Sequence, residues 1–263
     1  MRKYVRERAL ANSRLIGLIE LALMIARAKN FGKKVAFAIA IGLVLFMVLA
    51  VVSNVPTEIT RDDQEAFASI NIPLPIKPPT QSLTFEGQIK LIRALQAEVF
   101  ERAPLLPDDP GIPLYEAREP KNLFKYRHGL CFDRSRTLDK LLNYYGFETR
   151  HTYVLYKENR SFIGALFTYG HPSHAVTEVK TSKGWMLVDS NDPWVAVTNA
   201  NTPINTYQAQ FHVDELAGIP DYFKKPYWVI VGLYSKRGQL YKPFVPFPQL
   251  NWPTFFYWVN NGL

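Results

Sequence analysis

Tyr126-Arg127-His128-Gly129-Leu130-Cys131-Phe132-Asp133 decides how this chain is read, because Cys131 is the single cysteine among 263 residues. A glycine leads into it, and an apolar pattern of helical spacing follows in Leu138, Leu141 and Leu142. The pattern predicts a helix that begins at or just after Cys131, runs to about Tyr145 and is capped by Gly146. A thiol at such a helix start meets unpaired backbone N–H groups and the positive end of the helix dipole, which both favour the thiolate.

Working outward, four downstream segments read as strands: 149–156, 175–180, 185–189 and 227–234. Lys183-Gly184 between the second and third predicts a hairpin with a short loop. That hairpin would set His174, which opens one arm, beside Asp189, which ends the other. Upstream, Ser82 or Thr84 can cap a helix with apolar positions at Phe85, Ile89, Ile92, Leu95, Val99 and Phe100, broken by Pro104 to Pro113. Helices followed by antiparallel strands argue for an α+β domain. Residues 81–263, about 180 in number, are enough for one core.

A thiol that transfers acyl groups needs a base or ion-pair partner, a group that orients the partner, and donors for the oxyanion. Cys131, His174 and Asp189 meet the first needs as nucleophile, base and orienter. The Cys131 backbone N–H is one candidate oxyanion donor, and Asn122 and Tyr126 are the candidate side chains. A competing arrangement is a zinc site, since His128 and Cys131 are three residues apart and so are His171 and His174.

Two runs of sequence resemble the transglutaminase-like superfamily, whose papain-like core is shared by transglutaminases, peptide N-glycanases and many bacterial thiol peptidases. The first is Gly129-Leu130-Cys131-Phe132-Asp133-Arg134-Ser135, with Leu141-Leu142 and Tyr145-Gly146-Phe147-Glu148-Thr149-Arg150. The second is His174-Ala175-Val176-Thr177-Glu178-Val179, with Gly184-Trp185-Met186-Leu187-Val188-Asp189. The resemblance covers roughly residues 122–195. It implies a transglutaminase-like core with a Cys131–His174–Asp189 triad, no cofactor and no metal. The family often has Trp where this chain has Val176, and Asp-Pro where it has Asp189-Ser190. Asp192-Pro193 follows shortly after, which makes Asp192 a second candidate orienter.

Charge distribution narrows the partners. Nine of the 31 basic residues and two of the 23 acidic ones fall in 1–54, which leaves 22 and 21 for the remainder. A nearly neutral remainder argues against nucleic-acid binding. Val35 to Val52 is an apolar run of 18 residues behind Lys33 and Lys34. Its length suits a membrane span, and its 34-residue leader is long for a cleaved signal peptide. Basic residues on the N-terminal side predict a cytoplasmic N-terminus. The expected protein is thus single-pass in the plasma (inner) membrane, with its domain extracytoplasmic or periplasmic.

The expected organisation is a basic cytoplasmic arm (1–34), an anchor (35–54), a Pro-rich stalk or surface strap (55–80) and the folded domain (81–263). Within the arm, 10–30 carry a narrow polar stripe of Ser13, Glu20 and Arg27 on a broad apolar face. That pattern suits an interfacial helix or a docking helix for a membrane-protein partner. The C-terminal 241–263 alternate Pro with Phe, Trp and Tyr and read as a strap across the domain, a membrane-interface surface or a partner patch. The expected function is cleavage or transfer of an amide bond in an extracytoplasmic protein or peptide. The alternative is a non-catalytic adaptor subunit of a membrane complex.

Overall fold

The computed structural model describes residues 33–70, 82–238, 240 and 247–262. Residues 1–32 of the arm, including 10–30, 71–80 of the Pro-rich stretch, Gln81, and 241–246 of the C-terminal segment therefore lie outside the described residues. The chain divides into two compact units, 1–52 and 53–263. In the first, α1 (Lys33–Ser53) is 21 residues long, carries no charge after Lys34 and is apolar enough to cross a membrane. At 1.5 Å per residue it spans about 31 Å, close to the thickness of a bilayer's hydrocarbon core.

The second unit is a mixed α/β domain built on a four-stranded antiparallel sheet of order β3-β2-β1-β4. Its strands are β1 (Thr149–Tyr156), β2 (Ser173–Thr181), β3 (Gly184–Val188) and β4 (Tyr227–Val231). β2 and β3 form the expected hairpin, closed where Thr181 pairs with Gly184. Side chains alternate between the faces, as strand geometry requires. Val179, Met186 and Val188 join one core with Phe67, Leu91, Leu123 and Leu138, while Val154, Val176 and Leu187 join another with Trp194 and Phe223.

Helix α3 (Phe85–Arg102) is capped by Thr84, whose hydroxyl accepts the Gly87 N–H at 3.2 Å. Its buried face is Leu91, Ile92, Leu95 and Val99 together with Gln88 and Gln96, while Ile89 and Phe100 are only half-buried. Helix α4 (Pro120–Tyr126) leads to α5 (Cys131–Tyr144), which buries Leu138, Leu141 and Leu142 completely. Each such leucine contributes about 1.5–3 kcal/mol on burial. A short helix α6 (Phe162–Phe167) connects β1 to β2, and α7 (Thr206–Ala209) precedes β4.

Two expectations need correction. The first concerns the stalk. Over 53–70 the chain is folded into the domain, with Val55 fully buried and α2 (Arg61–Ala68) packed on α4 and α5. Thr60 and Asp63 form a capping box, Phe67 enters the core, and Asp63 Oδ2 lies 2.6 Å from the buried Nζ of Lys140 on α5. A buried ammonium requires such a partner, so this segment is an integral part of the fold.

Second, 227–234 is not one strand. Gly232 breaks it at φ +81°, and β5 (Leu233–Ser235) then pairs with β6 (Gln249–Leu250) in a second sheet. A Cβ at Gly232 would sit 3.0 Å from both Asn251 O and Phe255 N, so glycine is needed for conformation and for space. Within the C-terminal segment, Trp252–Asn261 form a helix, α8, whose Phe255 and Trp258 pack against the core around Ile230 and Leu233. Asn251 caps it and Pro253 sits in its first turn, where a missing N–H costs nothing.

Candidate active site

Cys131 occupies the first position of α5 and is partly buried. The helix start is fixed from behind by Asp133, whose carboxylate accepts the Leu130 N–H at 2.8 Å and pairs with the buried Arg118 at 2.9 Å. Gly129 sits where a Cβ would come within 2.6 Å of Leu123 on α4, so the absent side chain lets the two helices close around this turn. The N–H groups of Cys131 and Phe132 make no backbone hydrogen bond among the described residues. They remain as donors in the first turn of the helix.

His174, near the start of β2, is buried and near enough to Cys131 for each to shift the other's pKa. Its Nε2 lies 2.6 Å from Asp189 Oδ1. Asp189 ends the β3 arm and is fully buried. Its Oδ1 also accepts the N–H of Ser190 at 2.6 Å and of Asn191 at 3.2 Å. The structure thus pairs His174 with Asp189 by a hydrogen bond and brings Cys131 close to His174.

The electrostatics favour an ion pair. Burial alone would raise the Cys131 thiol pKa, but the hydrogen bond and charge of His174, the Ala175 N–H and the Arg134 guanidinium outweigh it and bring it below its ordinary value. Burial alone would lower the His174 pKa, but Asp189 and Cys131 push it up to about 10. Both shifts are in the direction that favours thiolate and imidazolium together.

Residues without a role in the sequence reading hold this geometry. Tyr222, in a short 3-10 turn, donates its hydroxyl to Asp189 Oδ2 and also lies 2.6 Å from Asp192 Oδ2. Its ring packs edge-on to His174 at 4.9 Å. Asp192, the second candidate orienter, thus meets Tyr222, while Asp189 meets the imidazole. Arg134 is fully buried and spans both sides of the site: it donates to Gly129 O before the cysteine, and to Ser190 O and Asn191 Oδ1 after the aspartate, each of these two at 2.8 Å. Buried Gln96 turns its amide toward the carbonyls of Asp189, Asp192 and Trp194.

The other candidates are engaged elsewhere. Asn122 donates to Ala117 O at 2.7 Å, and the Tyr126 hydroxyl lies 3.1 Å from Glu116. His128 pairs with Asp109 at 3.0 Å, and His171 Nε2 lies 2.8 Å from Tyr156 O. Among the described residues no three His, Cys, Asp or Glu side chains form a group able to hold a metal ion, so the arrangement of His128, Cys131, His171 and His174 into a zinc site is not met. Tyr153, from β1, and Phe162 and Leu166, from α6, belong to the apolar cluster that includes Cys131.

No family model matches this chain, and no curated protein matches it.

Proposed function

We propose that this protein is a membrane-anchored thiol enzyme of transglutaminase-like type that cleaves or transfers an amide bond of an extracytoplasmic protein or peptide. The observation that supports the reading is the His174–Asp189 hydrogen bond beside Cys131, whose thiol stands at a helix start. In the proposed reaction the Cys131 thiolate attacks the amide carbonyl, and the first-turn N–H groups of α5 receive the developing oxyanion. His174 gives its proton to the leaving amine as the C–N bond breaks, leaving a thioester. His174 then takes a proton from water, or from an acceptor amine, as that molecule attacks the thioester. Asp189 keeps the imidazole oriented throughout. Hydrolysis is the default outcome because water is always present.

The membrane assignment rests on α1, and the outward orientation of the domain on Lys33 and Lys34 at its N-terminal end. The test is covalent capture. Peptidyl acyloxymethyl ketones of varied sequence are added to the full-length protein in detergent, and the intact mass is measured. The expected result is one adduct on Cys131, with loss of the carboxylate leaving group, which is absent from His174→Ala. A Cys131 that reacts with iodoacetamide but with no peptidyl ketone would overturn the substrate class. A Cys131→Ser protein with full biological activity would point to the adaptor role instead.

A further inference from the structure

The ten residues of α8, Trp-Pro-Thr-Phe-Phe-Tyr-Trp-Val-Asn-Asn, include no charged side chain, and none is fully buried. Phe255 and Trp258 turn inward onto the cluster around Ile230 and Leu233. Phe256, Tyr257 and Val259 turn outward and are 47%, 67% and 57% exposed. An outward face of Phe, Tyr and Val with no charge is unusual on a surface helix that meets only water.

The start of this helix is fixed to the residues that immediately follow the apolar run. Trp252 Nε1 donates to Ser53 Oγ at 3.2 Å, and the Trp252 N–H donates to Asn54 Oδ1 at 3.3 Å. Asn251 Nδ2 donates to Val55 O at 2.8 Å, and the Val55 N–H donates to Leu250 O at 2.8 Å. Ser53 is also the last residue of α1. The residues that follow the apolar run in sequence are thus bonded to the start of α8.

We infer that α8 is a second membrane contact, with Phe256, Tyr257 and Val259 seated in the lipid–water interface of the bilayer that α1 enters. The inference rests on the membrane reading of α1. A ten-residue helix is about 15 Å long, too short to span and suited to lying at the interface. Aromatic rings without charge are the side chains that this zone favours. Trp252 stacks on Phe256 with ring centroids 5.5 Å apart, so the outer aromatic row begins at the same residue that bonds Ser53. The interface would then hold the domain close to the membrane, and substrates tethered there would be favoured over free ones.

The test places an environment-sensitive thiol-reactive fluorophore at Tyr257→Cys in full-length Cys131→Ser protein, reconstituted in phosphatidylcholine–phosphatidylglycerol vesicles. A second preparation carries the label at Leu45→Cys in α1. The expected result is blue-shifted emission at both positions, quenching by doxyl-labelled lipid and protection from aqueous iodide, unchanged when the protein is diluted into excess lipid. A Leu45 label quenched by lipid beside a Tyr257 label quenched by iodide would overturn the α8 inference alone. Iodide quenching at both positions would overturn the membrane reading with it. Protection of Tyr257 that vanishes on dilution would mean a second copy covers α8, and would also overturn it.

Discussion

Nε2 of His174 lies 2.6 Å from Oδ1 of Asp189, and the same oxygen accepts the Ser190 N–H at 2.6 Å. The carboxylate is thus held by backbone as it holds the imidazole, so the orientation of the ring is fixed by β3 and the turn after it. A buried carboxylate constrained in this way favours imidazolium over neutral imidazole.

The pH dependence of thiol reactivity follows. With the thiol pKa lowered and the His174 pKa near 10, the ion pair begins to form below the ordinary thiol range and persists to about pH 10. Iodoacetamide alkylation of Cys131 is expected to reach a plateau well below the ordinary thiol pKa of ~8.5. In His174→Ala the rate at neutral pH should collapse and rise only toward and beyond ~8.5. Superimposable profiles for the two proteins would end the ion-pair assignment.

Tyr222→Phe separates holding from chemistry. It removes the hydroxyl that Asp189 Oδ2 and Asp192 Oδ2 share, yet leaves the ring against His174 and the Oδ1 bond untouched. A buried acceptor losing its donor costs about 1–3 kcal/mol. The variant should therefore unfold at lower denaturant concentration while retaining the alkylation plateau. Loss of the plateau with unchanged stability would reverse the roles assigned here.

Acid stability carries a separate signature at His151. This ring is buried between strand and helix, stacked on Tyr234 at 4.0 Å, with Nδ1 3.0 Å from Ser135 Oγ. Thr177 Oγ1 donates to Ser135 O and lies 3.1 Å from Ser135 Oγ, so the Ser135 hydroxyl can donate to Thr177 and accept from an Nδ1–H tautomer. Burial, with the charges of Arg136 and His174, lowers the His151 pKa from 6.5 to about 3. The folded state resists protonation and the unfolded state accepts it. Stability is therefore fully present above the unfolded value and falls as pH drops from about 6.5 toward about 3, by on the order of 4 kcal/mol. Denaturant titrations from pH 7 to 4 should show a shallower decline for His151→Phe than for wild type. Equal slopes would remove His151 from the acid response.

Parts of this fold were legible because local pattern and tertiary role coincide. Leu138, Leu141 and Leu142 repeat at helical spacing because α5 rests one face on the sheet, and Lys183-Gly184 marks the hairpin because its tight turn closes at Gly184. Cys131, His174 and Asp189 were found by residue type and by position at element ends. What escaped was held by contacts distant in sequence. Asp63 looks like a solvated charge until Lys140, 77 residues on, is seen beside it. Tyr222 sits in a turn with no periodicity, 33 residues beyond the aspartate it serves. For α8 a signal was present in Asn251-Trp252-Pro253, a cap followed by a first-turn proline, but the density of prolines and aromatics from 241 onward hid it.

The domain boundary gives the last prediction. The buried ion cluster joins Lys140 to Asp63 at 2.6 Å and to Glu119 at 2.9 Å, and Arg136 to Glu119 at 2.7 Å and to the Pro56 carbonyl at 3.1 Å. Lys140 and Arg136 are both on α5, the helix that presents Cys131. A chain beginning at Gln81 lacks Asp63, Phe67, Val55 and the Pro56 carbonyl, so the two buried cations of α5 lose the Asp63 carboxylate and the Pro56 carbonyl. Removing one side of a buried ion pair costs about 3–5 kcal/mol, comparable to much of a domain's net stability. Residues 81–263 should therefore express as aggregate or melt far below residues 53–263, and Asp63→Ala in the longer chain should reproduce part of that loss. A chain beginning at Gln81 that melts with the longer one would return 53–70 to the status of a tether.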